Sequence, residues 1–305
     1  MLPSLNEVGN YNLLNHLINE FKSYNISICI GLEFEFILEK NINQNIILDD
    51  IKNFALNRGI NIDIQKEISD NQFEINFHPS FDIIKICDQF IKLKSIISEI
   101  SQSYENIVNF SAKPNDKTHG NGLHVHISLY QDSKNLFKKI DNNESEYLLN
   151  SIAGLLKHLN NSLIFMISNE SDLKRYTEII EVAKKQKRYV CSSSYAPSHI
   201  CWGKNNRTVA IRIPDSFNDP ENRHIEYRVP SPCANIADVI FMILFQIKIG
   251  IDNNLKPIDP IFGNAFDKQY NLERIETNFA KVQINYEKSE LKKLISKQIE
   301  KTKRN

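Results

Sequence analysis

The sequence predicts an α+β fold: a largely antiparallel, curved sheet lining a cleft, with helices packed on the sheet's other face. Three observations predict it. Strand and helix patterns alternate along the 305 residues without a regular βαβ rhythm. Four strand candidates carry one apolar and one polar face, as in a sheet with one face on the core. One helix pattern, 234–250, is apolar nearly all round and belongs inside the protein.

The elements follow in order. Residues 11–23 place Leu14, Leu17, Ile18 and Phe21 on one helical face. Residues 26–40 read as a strand. Asp49 and Asp50 are expected to cap a short helix that stops at Gly59. Ser80 and Asp82 open a long helix that turns Cys87, Phe90, Leu93 and Ile97 toward a core. Strands are expected at 106–113 and 122–130, and a helix at 145–167. Segment 168–194, rich in Lys and Ser, is ambiguous and reads as a helix followed by a mobile loop. Strands return at 198–214 and 223–230. The tail 285–305 spaces Leu291, Ile295 and Ile299 four apart among lysines, the pattern of a solvated amphipathic helix.

Composition removes several classes. With 41% hydrophobic and 24% charged residues the chain is not disordered. Lys+Arg and Asp+Glu are both 37, so the formal charge is zero, which argues against nucleic-acid or membrane-surface partners. The longest apolar run, Val239 to Phe245, is too short to span a bilayer. The start, MLPSLNEVGNYN, lacks the basic and apolar stretches of a signal peptide. The cysteines (Cys29, Cys87, Cys191, Cys201 and Cys233) are scattered, with no C-x-x-C, so a cytoplasmic protein with reduced thiols is expected. No internal repeat and no Pro- or Gly-rich linker occurs.

Chemistry concentrates on the polar faces of the four strands. Side chains alternate along a strand. Glu33 and Glu35 therefore oppose Leu32, Phe34 and Phe36; Gln72, Glu74 and Asn76 oppose Phe73, Ile75 and Phe77. His124, His126 and Ser128 oppose Leu123, Val125 and Ile127, and His224, Glu226 and Arg228 oppose Ile225, Tyr227 and Val229. For any one strand the bland alternative is a solvated outer face. Across all four, seven of the eleven polar positions are Glu or His and none is Lys. Clustered carboxylates repel unless a cation sits among them. Carboxylates with a single imidazole suit Mg²⁺ or Mn²⁺ better than Zn²⁺. The four strands together read as the floor of a two-metal cleft.

Arginine is the second theme. Arg207, Arg212 and Arg228 are suited to bidentate binding of phosphate or carboxylate, although ordinary ion pairs are the alternative for each. Metals with several arginines point to phosphoryl transfer. No G-x-x-x-x-G-K-[ST] and no G-x-G-x-x-G occurs, so a nucleotide would be held by sheet and metal. Trp202 reads as core.

In order, the motifs E-F-E-F, E-I-S-D-N-Q-F-E, N-G-L-H-V-H-I-S-L, W-G-K-N-N-R-T-V-A-I-R-I-P and R-H-I-E-Y-R resemble the catalytic domain of the glutamine synthetase family, from Gly31 to about residue 270. The resemblance implies two divalent cations, Mg²⁺ or Mn²⁺. One would be held by Glu35, Glu67 and Glu74, the other by Glu33, His124 and Glu226. It implies nucleotide contacts at His126, Ser128, Arg212 and His224, with Arg207 facing the phosphoryl group in transfer. It implies substrate binding by Arg228 and Arg188, with Arg175 as the competing choice for the latter, and by the positions of His119 and Gly120.

Departures from the family pattern carry their own expectations. Only 32 residues precede Glu33, so residues 1–30 are expected to form a helical segment where family members carry a β-domain, with a catalytic domain at 31–284 and a basic helical tail at 285–305. Either a homo-oligomer or a second chain would then complete the active site, or the site is more open. His119 stands where the family has a substrate-binding Asn, His224 where it has an Arg, and Tyr195 where it has a catalytic loop Glu. The form S-Y-A-P is more similar to the γ-glutamylpolyamine synthetase branch. The implied activity is an ATP-dependent ligase that joins glutamate to ammonia or an organic amine through γ-glutamyl phosphate. The rivals are a catalytically impaired homologue that regulates by binding nucleotide or amino acid, and a metal-dependent phosphatase. Which amine accepts is left open.

Overall fold

A computed structural model describes residues 10–67, 69, 71–114, 120–141, 143–177, 196–216 and 219–304. Helix α1 (Asn10–Ser23) leads into β1 (Ser27–Leu38), followed by α2 (Gln44–Leu56), β2 (Ile62–Lys66), β3 (Gln72–Phe77) and α3 (Ile83–Ser103). Next come β4 (Val108–Asn109), β5 (Leu123–Gln131), β6 (Lys134–Asn135), α4 (Glu146–Ser162) and the short α5 (Lys174–Thr177). The chain continues through β7 (Trp202–Lys204), β8 (Ile211–Ile213), β9 (Ile225–Tyr227), α6 (Ile236–Asp252), α7 (Phe279–Glu287) and α8 (Glu290–Arg304).

The strands form one sheet in the order β2-β3-β1-β5-β9-β8-β7, with β4 paired to β1 and β6 to β5. Every pairing is antiparallel except β7 with β8. The period-two pattern places Leu32, Phe34, Phe36, Phe73, Ile75, Val125, Ile127, Ile225 and Tyr227 in the core, all buried. Phe34 meets Phe90 of α3 edge-on, ring centroids 5.1 Å apart. Asp82 caps α3, its side chain accepting from the Lys85 N–H, as its position before the apolar stripe implies. Trp202 is buried, its indole N–H donating to the Ile258 carbonyl at 2.6 Å.

Some expected boundaries move. Helix α2 begins after Asn43 rather than at Asp49 and Asp50, because the buried stripe Ile47, Ile51 and Ala55 extends the helix upstream. Asp50 instead accepts from the Tyr104 hydroxyl at 2.6 Å. The strand expected at 106–113 is only two residues long; beyond it the Asn121 amide donates to the Asn109 and Ser111 carbonyls in place of a neighbouring strand. The run 198–214 splits into β7 and β8. One apolar cluster extends from Leu13 and Leu17 to Leu291 and Ile295, so α8 has a core-facing stripe. The boundaries expected at 30/31 and 284/285 fall inside β1 and α7. No helix among the described residues is long and apolar enough to cross a membrane.

Helices α4 and α6 cross behind the sheet with almost no side chain between them. A Cβ on Gly154 would collide with the Gln246 carbonyl oxygen, and one on Gly250 with that of Asn150. Backbone cannot step aside as a flexible side chain can. Gly250→Ala is therefore expected to lower stability by about 2–3 kcal/mol, the upper part of the range for overpacking, read as a shifted urea midpoint at unchanged slope. A midpoint equal to the parent's would mean that the crossing opens freely.

Candidate functional site

Antiparallel register brings the polar faces of five adjacent strands into one band. Glu35 lies opposite Glu74 across β1 and β3, and Glu33 opposite His124 across β1 and β5. His126 lies opposite Glu226 across β5 and β9, and Glu226 opposite Arg212 across β9 and β8. Among the described residues, two groups have ligand-type atoms within 4.8 Å of one another: Glu33, Glu74 and His124, and Glu33, His126 and Glu226. Glu33 is common to both. Its Oε1 is 2.6 Å from His124 Nδ1 and its Oε2 is 3.2 Å from His126 Nε2.

The electrostatics fit a cation. Burial raises the Glu35 carboxyl to about 8, a shift that Arg175 opposes and the charges of Glu67 and Glu33 reinforce. Burial, then Glu33, pushes Glu74 up to about 10. Two histidines overcome burial at Glu33 and hold it well below the usual carboxylate range. At Glu226 burial is overcome chiefly by Arg228, which holds the carboxyl at about 2. Four carboxylates so close cannot all ionise without positive partners, and carboxylate oxygens with a single imidazole nitrogen suit Mg²⁺ or Mn²⁺. Glu33, Glu74, His124, His126 and Glu226 are the residues that could hold such ions.

Glu35 lies outside both groups. Its Oε2 accepts from the Gly122 N–H at 3.1 Å and the Gln72 amide at 3.0 Å. Glu67, just after β2, is half-buried and near enough to Glu35 to raise it. His126, expected at the nucleotide, stands in a ligand group and also on the wall of the cavity lined by Arg212 and His224. Ser128 donates to the Arg223 carbonyl at 3.2 Å. Arg228 donates to Glu226 Oε1, and Arg212 to Glu226 Oε2 at 2.7 Å and Asn205 Oδ1 at 2.5 Å. Exposed Arg207 and Lys204 and half-buried Arg212 and His224 line a cavity of about 940 Å³. Burial and then His126 lower His224 to about 4, so it is neutral where the family pattern carries a cation. Gly120 is needed because a Cβ there would run into the Ala112 carbonyl and the Arg175 side chain. Arg188, Tyr195 and His119 lie outside the described residues.

Three site residues had no assigned role in the sequence reading or a different one. Gln72 is buried and bonds Glu35, the Gly120 carbonyl and Asn121 together; strand alternation put it on the right face but gave no partner. Asn205 orients Arg212. Arg175 is buried beneath the glycines and gives its guanidinium to the carbonyls of Arg228, Val229 and Pro230, bracing the backbone that follows Arg228.

The family described as the glutamine synthetase catalytic domain matches residues 38–297. Gamma-glutamylputrescine synthetase PuuA of Escherichia coli (strain K12) is 29% identical over 225 residues, covering 73% of this chain and 44% of the relative. Glutamine synthetase of Pyrococcus abyssi (strain GE5 / Orsay) is 29% identical over 204 residues, covering 67% of this chain and 42% of the relative. The chain thus spans less than half the length of either. A solved structure described as a GmaS/ADP complex superposes with a TM-score of 0.76 at 18% identity, covering 92% of this chain and 68% of that one. At that identity the likeness is one of fold.

Proposed function

The chain belongs to the glutamine synthetase family, and from that membership we propose that it is an ATP-dependent ligase forming a γ-glutamyl amide from glutamate and ammonia or an organic amine. One observation carries the reading: two carboxylate–imidazole groups sharing Glu33 lie beside a cavity of about 940 Å³ that is lined by Arg207 and Arg212. Divalent cations held by these groups would neutralise carboxylate and phosphate charge. Glu226 keeps Arg212 and Arg228 oriented. Arg207, exposed in the cavity, would meet a transferring phosphoryl. In the proposed reaction a γ-carboxylate oxygen of glutamate displaces ADP from the γ-phosphorus. The amine then attacks the carbonyl carbon of the γ-glutamyl phosphate, phosphate leaves, and the amine proton passes to a base. The test is purified protein with ATP, glutamate, Mg²⁺ or Mn²⁺ and a panel of amines, read by product mass. A γ-glutamyl amide with ADP and phosphate is expected; ATP hydrolysis indifferent to amine would overturn the ligase reading.

Tyr195 bears on the amine. A phenol with an ordinary pKa of about 10 is neutral at pH 7 and takes no proton from ammonium. Its ring can pack on an alkyl chain or sit beside an alkylammonium, worth about 0.5–2 kcal/mol. The parent is therefore expected to prefer methylamine, ethanolamine or putrescine over ammonia in kcat/KM, and Tyr195→Glu to shift the preference toward ammonia. A parent that favours ammonia by about tenfold, some 1.4 kcal/mol, would return the chain to glutamine formation.

A further inference from the structure

The wall of the large cavity is tied together by a residue that does not line it. Glu144 immediately precedes Ser145, the N-cap of α4, whose hydroxyl accepts from the Leu148 N–H at 3.1 Å. Helix α4 is clamped against α6 at the glycine crossing, so Glu144 projects from a fixed point. One of its carboxylate oxygens lies 2.8 Å from the Lys204 ammonium, and the other accepts from the Arg223 guanidinium. Lys204 ends β7 and is followed by Asn205, which holds Arg212. Arg223 precedes His224 and follows Asn222. Lys204, Asn205 and Arg212 form one rim of the cavity, and Asn222 and His224 another. The Arg223 carbonyl is also fixed from below, by Ser128 and by the Asn135 amide at 2.8 Å. Arg223 itself is only 9% exposed. Without the carboxylate its guanidinium must leave a largely buried position, because an uncompensated charge there is costly, and the segment carrying Asn222 and His224 must move with it.

We propose that Glu144 is a positioning residue for the nucleotide cleft, joining the two rims through Lys204 and Arg223 so that Arg212 and His224 face one another across a cavity of set width. This rests on the ligase reading, because it takes the cavity to hold ATP. Glu144 touches no substrate and acts through its two cations. A merely structural carboxylate would lower thermal stability and leave affinity alone.

The experiment is calorimetric binding of Mg²⁺-ATP well below the thermal midpoint, to the parent, Glu144→Gln, Arg223→Met and the double variant. Glu144→Gln is expected to weaken ATP about tenfold and Arg223→Met about fivefold, with the double variant no weaker than Glu144→Gln alone, because the two act as a unit. Glu144→Asp keeps the charge but withdraws it by one methylene and should lose about threefold, which supplies a second reading if Glu144→Gln does not fold. Parent-like affinity in Glu144→Gln or Glu144→Asp overturns the proposal and leaves the ligase reading standing. So does a double variant weakened by the product of the single effects. A parent that binds no ATP overturns the ligase reading, and this role with it.

Discussion

Glu33→Gln is expected to abolish ligase turnover, lowering it by about three orders of magnitude or more, equivalent to about 4 kcal/mol of barrier. Glu33 is the one carboxylate common to both ligand-type groups, and each of its oxygens faces a different histidine. Glutamine keeps the shape but removes the charge on which both groups depend. Manganese titration by calorimetry should show affinity falling at least about a hundredfold, beyond what loss of an outer-shell partner produces. Glu35→Ala separates two assignments. The family resemblance makes Glu35 a metal ligand; the geometry puts it outside both groups, bonded to Gly122 and Gln72. If Glu35→Ala loses as much Mn²⁺ affinity as Glu33→Gln, the set implied by resemblance stands. If it loses far less, Glu35 supports the site through Gln72. Unchanged Mn²⁺ binding in Glu33→Gln would sink the two-metal reading.

How much of this was legible in the sequence follows from the range of each interaction. Period-two alternation needs only neighbours along the chain, so the polar faces bearing Glu33, Glu74, His124 and Glu226 could be read directly. Helix α6 was equally plain, because an all-round apolar helix has nowhere to go but the interior. Which carboxylates come together was not legible. That depends on register between strands far apart in sequence, and a slip of one residue would turn Glu33 to the core. Register also set His126 opposite Glu226, a pairing that no local pattern marks. Gln72, Asn205 and Glu144 act only as partners of residues brought close by folding, and no local pattern marks them. The start of α2 was misread for a related reason: two aspartates resembled a cap, but the helix begins where its buried stripe begins.

From about pH 7 to 8, above the range in which the buried His158 and His224 titrate, metal-free protein is expected to lose stability as pH rises, and added Mg²⁺ or Mn²⁺ to restore it increasingly. Glu35 and Glu74, raised to about 8 and about 10, remain protonated in the folded state well above the ordinary carboxylate range. An unfolded chain has already released those protons, so between the unfolded and folded values the native state binds more protons, and stability falls with rising pH. Glu33 and Glu226 are shifted the other way. Their contribution is fully present above the unfolded value and is lost only as pH falls toward about 2, so it is flat over this window. A cation among the carboxylates displaces the retained protons. Its binding therefore strengthens with pH, and its stabilisation grows with affinity. The measurement is the thermal midpoint at intervals from pH 7 to 8 with EDTA and with millimolar Mn²⁺. The gap between the two curves should widen steadily with pH, and Glu74→Gln should flatten the EDTA curve. A gap constant across the range would mean that the buried carboxylates are already ionised without metal, with the charge of Arg175 and Arg228 sufficient to hold them.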